Sequence, residues 1–233
     1  MDNKLNTYGF GNAGSVTDVT VRNRVLRNTY WLLAISMIPT VLGAWIGVVS
    51  GFSLMAGRPG LSLILFLGIA FAFFYGIEKT KNSGMGVVLL LAFTFFMGLM
   101  LSRLINATLQ FSNGPALIMY AFGGTAAVFG AMATVATVSK RDFSGLGKFL
   151  FVGVILLLLA SVANIWLQLP SLMITVSVIA IGIFSAYILF DVQRVVNGGE
   201  TNYVTATLAI YLDVYNVFAN LLALLGIFGG NRD

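Results

Sequence analysis

Residues 185–226 read SAYILFDVQRVVNGGETNYVTATLAIYLDVYNVFANLLALLG and set two aspartates into otherwise apolar helical sequence. Asp191 closes one hydrophobic segment, and Asp213 lies about three turns inside the next. Gly198 and Gly199 mark the reversal between them. A carboxylate inside a membrane segment is costly to bury and is by default a functional-site hypothesis.

The surrounding chain reads as a membrane scaffold. Of its 233 residues 58% are hydrophobic and only 9% charged, with 19 Phe, which is far from a soluble globular composition. There is no Cys and no His, which excludes disulfides, thiolate or imidazole metal sites, a Ser-His-Asp triad and a Cys-His nucleophile. No cofactor site is implied. The formal charge of +5 does not point to nucleic acid, because the basic residues sit singly or in pairs at segment ends instead of on one surface.

Seven apolar runs approach the roughly 20 residues needed to cross a bilayer: 30–49, 61–77, 85–105, 116–138, 149–167, 172–190 and 203–228. The fold class expected is all-α and membrane-embedded. Lys and Arg fix the orientation. With the N terminus inside, Lys4, Arg22, Arg24, Arg27, Lys79, Lys81, Lys140, Arg141, Lys148 and Arg194 are cytoplasmic, and Arg58, Arg103 and Arg232 lie outside. Seven crossings then place the C terminus outside. Residues 1–29 lack the apolar core and cleavage site of a signal peptide and read as a retained, flexible cytoplasmic tail. Residues 30–233 form the transmembrane domain, with linkers too short for a soluble module.

In the fourth run Gly123, Ala127 and Ala131 recur at four-residue spacing, with Gly130 and Thr134 on a neighbouring line. Small residues let helix backbones approach, so the expectation is a packing interface within the bundle. Trp31, Trp45, Trp166, Tyr30 and Tyr203 stand near segment ends as interfacial anchors. Arg103 reads as snorkelling to the outer interface, and Glu78 as a solvated loop charge or a group at a cavity mouth.

Asp213, Asn216 and Asn220 follow i, i+3, i+7 spacing and form one polar stripe that should face protein or water. Tyr187 lies four residues before Asp191 and shares its face. Arg194, three residues after Asp191, is a candidate local partner. On ideal helices counted from the glycine turn, Asp191 stands roughly 10 Å and Asp213 roughly 20 Å up, so tilt, a break or a longer loop is needed to join them. If they meet, two like charges in a poorly solvated place share a proton. That is a pH-sensitive element without histidine: the neutral pair bridges two helices, and repulsion at higher pH favours hydration and cation entry.

YILFDVQRVV followed by LAIYLDVYNVFANLLALLG resembles the last two helices of the Bax inhibitor-1 family, as do GGTAAVF in the fourth run and KRDFSGLGKFL in the next loop. VLRNTYWLL, VANIWLQLP and GGETNYVTATL are similar to its bacterial YccA-type branch, whose members associate with the inner-membrane protease FtsH and modulate it. The resemblance implies seven helices with the seventh central, and a di-aspartyl pH sensor gating a calcium leak in some bacterial members. Asp191 and Asp213 match its two acids. Calcium would pass transiently near them, with no tightly bound metal. Where many members carry Gly-Pro late in the third helix, this chain has Ser102-Arg103. An arginine that some relatives have late in the seventh helix is replaced within Leu222-Ala223-Leu224. Where some relatives carry basic residues at the inner end of the second helix, it has Glu78-Lys79-Thr80-Lys81, so Lys79 is the candidate latch to Asp191.

Two functions stay open: a pH-sensitive cation leak with Asn216 and Asn220 along the path, and a non-conducting modulator of FtsH. A third, presenilin-type proteolysis, also uses two intramembrane aspartates. Tyr211-Leu212-Asp213 lacks the glycines of its GxGD pattern, so no enzyme is expected.

Overall fold

The computed structural model describes residues 13–52, 54 and 58–231. Seven helices follow in order: α1 (Ala13–Ser50), α2 (Pro59–Thr80), α3 (Gly84–Leu109), α4 (Gly114–Val138), α5 (Leu146–Leu167), α6 (Pro170–Val196) and α7 (Tyr203–Gly229). Each is long and apolar enough to cross a bilayer, and no strand occurs among the described residues. Proline stands at one of the first two positions of three of them, α2, α4 and α6. At the first helical positions the missing N–H has no partner to lose.

The helix ends differ from the sequence reading in two informative places. α6 runs on through Val196, so Asp191 lies more than a turn inside it instead of at its end. α1 begins at Ala13, so the expected division between residues 29 and 30 falls inside a helix, while residues 1–12 lie outside the described residues. The last of the added turns is docked. Val25 packs in a small apolar cluster with Val195 and Ala206, and the Thr207 hydroxyl donates to the carbonyls of Tyr203 and Thr29 at 2.7 and 3.3 Å.

Lipid tails are as apolar as leucine, so helices in a bilayer associate through fit and hydrogen bonds more than through the hydrophobic effect. The fit is closest between α1 and α3. A methyl built on Gly98 would run into the carbonyl oxygen of Thr40, and one on Gly43 into that of Phe95. Beside this seam an aromatic core joins α2, α3 and α7. Phe93 is fully buried, with Phe74 and Phe73 at 5.3 and 5.6 Å between ring centres and Tyr211 at 6.4 Å. Tyr211 shares a 2.9 Å hydrogen bond with Thr40, and the Tyr215 hydroxyl donates to the Met97 carbonyl at 3.2 Å.

α7 packs against α1, α2, α3, α4 and α6, while α5 rests mainly on α6. Burial does not single α7 out as the centre, because α1 and α3 each bury 39% of their crossing window and α7 28%. Between α1 and α4 an apolar cleft of about 1100 Å³ opens, floored by Tyr211, Val214, Tyr215 and Phe218 of α7. This corrects the expected role of the small residues on α4. Gly123 and Gly130 line the cleft with nothing within 4 Å of an added methyl, and Ala127 and Ala131 are exposed. Small side chains permit close approach without imposing it, and α4 instead turns Leu117, Ala121 and Thr125 inward.

Replacing Gly98 by Ala should therefore cost about 1–3 kcal/mol, the usual penalty for overpacking a well-filled interior. Gly68→Ala on α2, where an added methyl meets nothing within 4 Å, serves as the control. Unfolding in detergent checks this, and equal stability of the two variants would refute the α1–α3 seam.

Candidate functional site

The turn from α6 to α7 sets the site. Asn197 caps α6 and Gly198 takes φ 78, a left-handed conformation that glycine adopts without strain. The amides of Gly199 and Glu200 both donate to the Arg194 carbonyl, at 2.8 and 3.1 Å. Across the same turn the Arg194 guanidinium pairs with Glu200 at 3.6 Å. α7 then starts under its own cap. The Asn202 side-chain oxygen accepts from the amides of Val204 and Thr205 at 2.9 and 3.2 Å. Its amide nitrogen reaches across to the α2–α3 turn and donates to the Lys81 carbonyl and the Asn82 side chain at 3.1 and 2.8 Å.

The helix ends narrow the height gap of the sequence reading. Asp191 stands five residues before Val196 and Asp213 ten after Tyr203, so about 7.5 and 15 Å of helix separate them from the turn. The residues between the helices add loop instead of rise. The carboxyls of Asp191 and Asp213 come within hydrogen-bonding range of each other.

Asp213 is 4% exposed. With both acids ionised neither can donate, and the Oδ2 atom of Asp213 then has no hydrogen-bond partner among the described residues. Buried polar atoms without partners are rare and ask for an explanation. A proton placed on one of the two carboxyls turns their approach into a hydrogen bond, so the arrangement fits one proton held between two acids.

The other candidate residues divide. Tyr187 lies within electrostatic reach of both aspartates, with Phe184 and Phe190 at 6.3 and 6.2 Å between ring centres. Arg194 is electrostatically felt by Asp191, although its ion-pair partner is Glu200. Lys79 is not brought to Asp191: its ammonium sits 4.6 Å over the Tyr75 ring one turn back, and the neighbouring Glu78 pairs with Lys81. The Asn216 and Asn220 amides donate back to the carbonyls of Leu212 and Asn216, each at 2.8 Å. The stripe therefore runs along α7 without a bond to Asp213. Arg103 is exposed toward the other end of α3. No cluster of three or more metal-ligating side chains occurs among the described residues.

Sequence reasoning missed one residue beside the pair. Gln193, 4% exposed, accepts from the Phe143 amide and donates to the Arg141 carbonyl, both at 2.7 Å. Its signal was an amide side chain in the buried last turns of an apolar helix, a group that must find partners.

The family described as "Inhibitor of apoptosis-promoting Bax1" matches residues 22–230. The protein named "Modulator of FtsH protease YccA" of Escherichia coli K12 is 38% identical over 210 residues, covering 90% of this chain and 93% of its own. The "Inner membrane protein YccA" of Escherichia coli O6:H1 matches to the same extent. An "Uncharacterized membrane protein" of Vibrio cholerae is 34% identical over 227 residues, 97% of this chain and all of its own.

The Asn202 anchor is separable from its cap. Asn202→Ala should destabilise the protein by about 1 kcal/mol through the cap alone, and further through the lost tie to the α2–α3 turn. Asn202→Asp keeps the acceptor and loses the donor, and so should recover only part of the stability. Unfolding in detergent ranks the three proteins, and an Asn202→Asp protein as stable as the wild type would contradict the anchor.

Proposed function

Because the chain belongs to the Bax inhibitor-1 family, we propose that it is a pH-sensitive cation leak of the bacterial inner membrane, passing calcium, with Asp191 and Asp213 as its gate. The observation that carries this reading is the buried approach of the two carboxyls with the Oδ2 of Asp213 left unpartnered. In the closed state one proton is held between the acids and ties α6 to α7. When that proton leaves, two anions remain. At about 4 Å and an effective dielectric of about 20 they repel by about 4 kcal/mol, and with no proton left there is no hydrogen bond between them to oppose it. Repulsion wins, the helices part, and water and cations enter.

A cation then meets two carboxylates, transiently and without a resident site. The Asn216 and Asn220 bonds to the α7 backbone use their amide nitrogens, which leaves side-chain oxygens, the ligands calcium prefers, for the path. Orientation follows the Lys and Arg distribution, with the acid pair nearer the cytoplasmic face, the N terminus cytoplasmic and the C terminus periplasmic. Tyr187 borders the gate.

A second reading is modulation of the membrane protease FtsH without conduction. It draws on the name of the Escherichia coli relative, a modulator of that protease, matched over 90% of this chain. The two readings are compatible, and neither is enzymatic. Co-purification with FtsH in mild detergent and altered FtsH activity on deletion are expected from this second reading, and the absence of both would remove it.

Calcium uptake into vesicles carrying the purified protein should rise with pH. Asp213→Asn, whose amide can donate to Asp191 and has no proton to lose, should hold uptake at alkaline pH about tenfold lower, the factor that corresponds to 1.4 kcal/mol. Equal uptake into empty and protein-loaded vesicles, with folding confirmed, would overturn the leak.

A further inference from the structure

Gln193 is held on both sides of its amide by backbone of the α4–α5 loop, its Oε1 accepting from the Phe143 N–H and its Nε2 donating to the Arg141 carbonyl. It stands two residues after Asp191, about 200° around α6 and about 3 Å along it. The end of α6 is thus gripped from two directions, by Asp213 of α7 through Asp191 and by the loop through Gln193. A second contact works in the same place. Gly147, in the first turn of α5, lies against the ring of Phe190, the residue before Asp191, so closely that an added methyl would be 2.8 Å from it. Val192 and Val195, between and beyond these contacts, are buried to 0% and 1% exposure.

We infer that Gln193 is a positioning residue for the gate: it clamps the α4–α5 loop to α6 only in the arrangement in which Asp191 meets Asp213, so that parting the acids and releasing the loop are one event. The inference rests on the gating reading above. A helix end moves as a rigid unit over two residues, and a shift that separates Asp191 from Asp213 misaligns both bonds of Gln193. Both bonds are made to main-chain groups, so the clamp reads the loop's shape.

The titratable groups that act on the pair are Tyr187 and Arg194 on α6 and Glu200 in the following turn. The loop's own acid, Asp142, is turned away. Its carboxylate accepts from the Ser144 amide and hydroxyl at 2.9 and 3.0 Å, which holds it below the usual carboxylate range. That turn is formed above the ordinary aspartate value and lost only as the pH falls through the lowered one, so Asp142 does not titrate near neutrality.

The test uses the full chain in lipid vesicles, with amide hydrogen exchange at Phe143 and calcium uptake followed against pH. The proteins are the wild type, Asp213→Asn and Gln193→Met, which keeps the side chain's length. In the wild type, protection of the Phe143 amide, corrected for intrinsic base catalysis, should fall as pH rises, while Asp213→Asn keeps it throughout. Gln193→Met should lose about tenfold of the protection. Because the clamp favours the closed state, closure without it needs more protons, and the uptake midpoint should move about one pH unit toward acid. Identical Phe143 protection in wild type and Asp213→Asn at every pH would refute the coupling whether or not the chain conducts. Lost protection in Gln193→Met with an unmoved uptake curve would refute the positioning role and leave the gate standing. No uptake by the wild type, with the difference at Phe143 retained, would remove the leak and support the clamp.

Discussion

Two carboxyl groups meeting between α6 and α7 impose a demand that the rest of the bundle answers. A carboxylate in a low-dielectric place is stable only with partners, and Asp213 at 4% exposure has little water to serve as one. The structure offers it the other acid. The connection between the two helices is fixed by the left-handed Gly198, the doubled hydrogen bonds onto the Arg194 carbonyl and the tie from Asn202 to the α2–α3 turn. Each is a local solution at a helix end, and together they set the register of α7 against α6.

The opposite face of α7 has a different task. Tyr211 and Tyr215 bond to Thr40 and to the Met97 carbonyl, fastening α7 to the α1–α3 pair. That pair is joined backbone to backbone through Gly43 and Gly98, where an extra methyl has no room. α6 lacks a comparable seam with these helices. At its inner turns the packing of Ile188, Val192 and Val195 is joined by Asp213, by Gln193 and by the contact of Phe190 with Gly147. The acid pair and Gln193 thus add charge-sensitive and polar ties to an α6 interface that is otherwise apolar, and loss of one proton acts on those ties.

Much of this was legible in the residues. Seven apolar runs became seven helices, and the two aspartates out of keeping with their surroundings became neighbours. The height mismatch was not resolvable from sequence, because it depends on where α6 stops and α7 starts, and Asn197 to Asn202 carry no apolar period to mark those ends. The spacing of Gly123, Ala127 and Ala131 was read as an interface, yet it faces the cleft and the lipid. Periodicity names a face but not what covers it. Lys79 was the candidate latch to Asp191 through the resemblance to relatives with basic residues at the inner end of the second helix, whereas the ring of Tyr75 one turn back captures it. Gln193 went unread because its partners are main-chain groups some 50 residues away, which no side-chain pattern announces.

The central claim is that Asp191 and Asp213 hold one proton between them when α6 and α7 are joined. Infrared difference spectroscopy of the protein in lipid, titrated across neutral pH, reads the carbonyl stretch of a protonated carboxyl directly. The account predicts one such band in a membrane-buried environment, disappearing as pH rises in step with opening and absent from Asp191→Asn and from Asp213→Asn. Two aspartates ionised throughout, or a band unchanged in both variants, would contradict it.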